Sequence, residues 1–135
     1  MKVILDNNIW ISFLIGKRMV ALQDIFCNAQ IRVVCCEELE REFLGVACRP
    51  KIRKYVGEGQ VERVYRLMSQ FCLYDEATPK AAITNRDPKD VYLLALAEHS
   101  QADYLVSGDS DLTDLGNHGH TQIVSFQQFM RILGK

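Results

Sequence analysis

The sequence predicts an α/β fold, a mostly parallel sheet covered by helices on both faces. Three observations point there. Short apolar runs without alternation recur at Val3–Leu5, Ile31–Cys36 and Tyr104–Val106, the pattern of strands buried on both faces. Between them lie segments with helical spacing, such as Leu39, Phe43 and Val46, which repeat at i, i+4 and i+7. Strand and helix patterns alternate along the chain, as connections between parallel strands require.

In order, Val3, Ile4 and Leu5 form the first strand, and Asp6 breaks it. A carboxylate at the C-terminal end of a buried strand lies where open α/β sheets bind ligands, although Asp6 could equally cap the helix that follows. Ile9, Phe13 and Leu14 mark that helix; Val20, Leu22, Ile25 and Phe26 mark a second, ending near Ala29. Ile31–Cys36 is strand two, with Arg32 inside it. EELEREFLGVA is a helix with Leu39, Phe43 and Val46 inward; Glu42 shares that face, Glu38 edges it, and Glu37, Glu40 and Arg41 read as solvated. Arg49–Arg66 is the most basic stretch, split by Gly57 and Gly59 into a helical hairpin with Tyr55 and Tyr65 interleaved. Arg49, Lys51, Arg53 and Lys54 are its candidate phosphate contacts, since cations with aromatics suit a nucleic-acid strand; a solvated helix face is the plainer reading.

Phe71–Tyr74 reads as strand three and Asp75–Arg86 as irregular. Asp87 and Pro88 open the next helix as cap and first position, which puts Asp90 in its first turn. The helix continues through Val91, Leu94 and Ala95. Tyr104–Val106 is strand four, and Ser107-Gly108-Asp109 ends it as Asp6 ends strand one, with Asp111 close behind. Leu112 and Leu115 anchor a short helical turn, Gln122–Val124 is strand five, and Phe126–Leu133 is a last helix with Phe129, Ile132 and Leu133 inward.

Parallel strands end on one edge of the sheet, so Asp6, Asp90 and Asp109 are predicted to converge, and Glu42 joins them if its helix packs beside strand one. Crowded carboxylates repel and call for a cation. Oxygen donors without histidine or thiolate favour Mg²⁺ or Mn²⁺. His99, His118 and His120 read as surface residues.

With 135 residues, 48% of them hydrophobic, and a net charge of -1, the chain suits one domain spanning 1–135 with a sizeable core. It carries no strongly basic footprint for tight nonspecific nucleic-acid binding. No run is long enough to span a membrane, and the opening segment reads as a strand, not a secretion signal. The cysteines are odd in number, Cys27, Cys35, Cys36, Cys48 and Cys72, with no C-x-x-C pair. The expectation is a reduced, cytoplasmic protein.

The ordered set LDNNIW, ELEREF followed by CRPKI, DPKDVYLLALA, ADYLVSGDSDL and the closing QIVSFQQFMRIL resembles the PIN-domain family, more narrowly its toxin components of toxin–antitoxin pairs. The resemblance covers essentially the whole chain. It implies a three-layer α/β/α sandwich with strand order 3-2-1-4-5 and a ribonuclease dependent on Mg²⁺ or Mn²⁺. The family's acidic residues map to Asp6, Glu42, Asp90 and Asp109, with Asp111 as a variable fifth; these are the implied catalytic residues and metal ligands. Asp90 or Glu42 is the implied proton acceptor. Asn8 matches the family's asparagine, Ser107 is the other supporting residue, and Asn7 stands where threonine or serine is usual. The implied partners are RNA, an antitoxin protein and a second copy of the chain, with Val61, Val64 and Leu67 as docking positions or plain core. The rival readings are a housekeeping PIN nuclease, a non-catalytic PIN scaffold, and a Mg²⁺-dependent phosphatase or phosphoacceptor domain. Asn8 and Ser125 stand where the last two would want aspartate and lysine.

Overall fold

A computed structural model of the chain describes residues 1–16, 19–75 and 88–134. The strands are β1 (Lys2–Leu5), β2 (Arg32–Cys35), β3 (Leu73–Tyr74), β4 (Tyr104–Val106), β5 (Asn117–His118) and β6 (Thr121–Val124). The helices are α1 (Asn7–Ile15), α2 (Met19–Cys27), α3 (Glu37–Ala47), α4 (Pro50–Arg53), α5 (Glu58–Phe71), α6 (Pro88–Ser100), α7 (Ser110–Thr113) and α8 (Phe126–Ile132).

The sheet order is β3-β2-β1-β4-β6-β5. Every pairing is parallel except β5 with β6. Counting β6 as the fifth predicted strand, the order 3-2-1-4-5 holds, and the antiparallel β5 is an unforeseen addition at the edge. Phe71 belongs to α5, so strand three is only Leu73–Tyr74. The chain winds from β1 to β3 in one direction and from β4 to β6 in the other. With right-handed crossovers, the helices of these two halves fall on opposite faces. The reversal occurs between β1 and β4, where Ile4 pairs with Leu105 and Leu5 with Val106.

Val3, Ile4, Leu5, Leu105 and Val106 are fully buried. α1 is apolar nearly all round, burying Ile9, Trp10, Ile11, Phe13 and Leu14, because it is enclosed on several sides. Trp10 lies 6.4 Å from Phe43 of α3, and Phe13 lies 5.7 Å from Phe126 of α8. The inward stripe of α3 is Leu39, Phe43 and Ala47, with Val46 only half-buried. On the same helix Glu37 pairs with Arg41 at the surface. Glu40 is not solvated as expected: it is half-buried and accepts a hydrogen bond from Tyr74 Oη at 2.6 Å. Val61 and Val64 are core residues of α5, Leu67 is half-buried, and Ile132, expected inward, is exposed. Asp87 and the stretch 76–86 lie outside the described residues.

Candidate active site

Asp6 ends β1 and caps α1. Its backbone donates to Val106 O at 2.9 Å, continuing the β1–β4 pairing, while its Oδ1 accepts from Asn7 N at 2.6 Å. The capping reading of Asp6 therefore holds, and the cap engages one of its two carboxylate oxygens. Its Oδ2 accepts from Ser107 Oγ at 2.7 Å. Ser107, fully buried at the end of β4, accepts in turn from Asp109 N at 3.0 Å. One hydroxyl thus ties together the acids that end two adjacent strands. Asp109 caps α7, its Oδ1 accepting from Asp111 N at 2.9 Å. Gly108 N donates to Asn8 Oδ1 at 3.3 Å, so Asn8 holds the loop after β4.

The electrostatics group the acids further. Burial pushes the Asp6 carboxyl above its usual range; the donors Ser107 and Asn7 N oppose this, and the charges of Glu42 and Asp109 add to it. Burial is the largest cause, and the two carboxylates add to it as like charges near enough to repel. Glu42 is half-buried, and its Oε2 accepts from Tyr92 Oη at 2.7 Å. Burial, then Glu42, then Asp6 hold the Tyr92 hydroxyl far above its ordinary range, so it stays protonated and donates. Asp90 lies in the first turn of α6 and is 8% exposed, as deeply buried as Asp6. Asp111 is exposed. None of Asp6, Glu42 and Asp109 pairs with a lysine, arginine or histidine among the described residues.

Asp6, Glu42 and Asp109 therefore share an electrostatic neighbourhood. Among the described residues, no three carboxylate, histidine or cysteine side chains stand close enough to hold a metal ion between them. The donor chemistry still suits a hard cation: the side chains are oxygen donors only, no cation among the described residues compensates Asp6, Glu42 or Asp109, and Glu42 and Asp109 perturb Asp6.

The histidines lie elsewhere. His118 pairs with Glu98, His120 with Asp103 and His99 with Asp75. Asp103 precedes β4, at the end of the strand opposite Asp109, so His120 faces the other edge of the sheet. Arg49, Lys51, Arg53 and Lys54 are exposed on and around α4. A polar groove of about 680 Å³ runs along β6 between α7 and α8, lined by Thr113, Ser125, Gln128 and Arg131 among others. Its Val124 accepts from Ser107 N at 2.9 Å, which places it one strand from the acids.

Two features escaped the sequence reading. Tyr92 is the one residue with a polar tip in the run VYLLALA; that anomaly was the available signal. Asn7 is 7% exposed, and its Oδ1 lacks a hydrogen-bond partner among the described residues, as does Trp10 Nε1 one turn along α1. Asn7 donates its backbone N–H to Asp6, but the hydroxyl that reaches Asp6 comes from Ser107.

A family model described as PIN domain matches residues 2–111. Beyond it lie β5 and β6, which complete the sheet, and α8. Among solved structures, the chain resembles the PIN domain of RRP44 from T. brucei, with a TM-score of 0.51 and 12% identity over 97% of this chain and 78% of that one; at that identity the likeness concerns the fold. No curated protein matches the chain.

Proposed function

We propose, because this chain belongs to the PIN domain family and PIN domains are typically nucleases, that it is an endoribonuclease dependent on Mg²⁺ or Mn²⁺. The observation that carries this reading is that Asp6, Asp109 and the α3 residue Glu42 share one electrostatic neighbourhood, with no protein cation paired to them among the described residues. Asp6, Glu42, Asp90 and Asp109 would hold the cation, with Asp111 at the margin. When bound, the ion supplies a Lewis acid for the phosphate and eases deprotonation of an attacking water.

The chain's own part is to place charge. Ser107 and Asn7 N fix both oxygens of Asp6. Ser107 also fixes the backbone that carries Asp109. This is preorganisation by neutral donors, which leaves the negative charge intact. The exposed cations around α4 are the proposed contacts for RNA phosphates.

Chelator-washed protein is expected to cleave single-stranded RNA when Mg²⁺ or Mn²⁺ is restored and not in EDTA, and Asp6→Asn is expected to be inactive in either. Undiminished cleavage in EDTA contradicts the mechanism. Transfer of phosphate to Asp6 would instead favour the phosphatase class.

A toxin role, with a protein antitoxin and a homodimer, is the finer reading, and it rests on the sequence resemblance. Val61 and Val64, as core residues, do not serve as docking positions. Expression of wild type in a bacterial host is expected to arrest growth and Asp6→Asn to permit it. Normal growth with abundant soluble wild type points to a housekeeping nuclease.

A further inference from the structure

Among the described residues, Glu42 is held by a hydroxyl and not by a cation. Tyr92 reaches it from α6, fifty residues along the chain, and the hydrogen bond joins α3 to α6. No other donor among the described residues contacts the carboxylate. A glutamate on a helix has several rotatable bonds, and ordering it costs conformational entropy. A partner that fixes it in advance spares a bound cation that cost. The identity of the partner matters. A lysine or arginine at this place would hold Glu42 equally well but would neutralise the charge and compete with the cation. A neutral hydroxyl orients the acid and leaves its charge available. Ser107 does the same for Asp6, so both acids are held by neutral donors.

We infer that Tyr92 is a positioning residue, holding the Glu42 carboxylate through Oε2 in the orientation from which it would serve a divalent cation. This rests on the cation-dependent reading of the site. Outer partners of ligating carboxylates typically alter metal affinity by about 10–100-fold when removed.

The test is a calorimetric titration of Mn²⁺ into chelator-washed full-length protein, with melting in chelator as the control for folding. Tyr92→Phe keeps the ring and removes only the hydroxyl; Tyr92→Leu removes the hydroxyl with a different side chain. Both are expected to bind Mn²⁺ about 10–100-fold more weakly than wild type, and Tyr92→Phe to melt close to wild type in chelator. In a Glu42→Gln background, Tyr92→Phe is expected to have no further effect on Mn²⁺ affinity, because the charged carboxylate it positions is gone. A merely structural tyrosine would lower the melting midpoint and leave Mn²⁺ affinity unchanged. Wild-type binding that survives in both Tyr92 variants overturns this role alone. The same loss with and without Glu42 also overturns it. Absence of Mn²⁺ binding in the wild type overturns the cation reading and this role together.

Discussion

Asp6 joins two structural duties with one electrostatic liability. It caps α1 and anchors the Ser107 link, yet burial and the charges of Glu42 and Asp109 raise its carboxyl pKa. A carboxyl whose folded pKa is raised takes up protons more readily folded than unfolded. Its contribution to stability is full below the unfolded value of 3.8 and is lost as pH rises through the folded value. Asp6→Asn cannot ionise, and the Ser107 hydroxyl can turn to accept from its amide. In melts of metal-free protein the variant is therefore expected to gain on wild type as pH rises from 3.8 to neutrality. A wild type that gains on the variant over that range would refute the raised pKa of Asp6. Ser107 bears the opposite load. It is fully buried and makes two hydrogen bonds, so Ser107→Ala is expected to cost about 1–3 kcal/mol in denaturant unfolding and to impair cleavage. A neutral effect on both would show that the link between the strand ends is dispensable.

Among the elements, α3 carries the sharpest contrast. Its buried face is Leu39, Phe43 and Ala47, and Phe43→Ala is expected to destabilise by about 3–5 kcal/mol. Glu42 and Glu38 lie one turn apart, but only Glu42 adds charge at Asp6. Glu42→Gln is expected to depress cleavage far more than Glu38→Gln, measured at equal folded concentration; the reverse would assign the site to the other turn. This helix also shows what the sequence could reveal. Its bounds and its inward Leu39 and Phe43 follow from periodicity, because a single buried face repeats simply. Glu40 did not follow, since its partner Tyr74 comes from β3, and periodicity says nothing of partners distant in the chain. Tyr92 stayed hidden for the same reason. The convergence of Asp6 and Asp109 was legible because parallel strands end together, an inference about topology that needs no side-chain geometry. Strand β5 was missed because two residues, Asn117 and His118, are too few to show alternation. Around α4 only exposed charge is visible, so Arg53→Glu with Lys54→Glu is expected to weaken RNA binding about uniformly across sequences and to flatten its salt dependence. Unchanged binding would move the RNA path away from this stretch.

Over the whole molecule, a net charge of -1 offers little long-range attraction for RNA, so the chemistry rests on the local arrangement at the sheet's switch point. There the winding reverses between β1 and β4, and the acids ending these strands are drawn together. Open α/β sheets bind ligands in that crevice, and here the crevice is lined by acid. α3 and α6 bring Glu42 and Tyr92 to meet over it. The PIN fold thereby concentrates negative charge that, among the described residues, no protein cation offsets at Asp6, Glu42 or Asp109. The proposed divalent ion would supply the counter-charge. The most direct measurement is Mn²⁺ binding to chelator-washed wild type and Asp6→Asn, followed by calorimetry and by the fluorescence of Trp10, the chain's one tryptophan, which lies one helical turn from Asp6. Saturable binding with quenching in the wild type, absent in Asp6→Asn, is the predicted result. Equal binding by both proteins, or binding by neither, would contradict it.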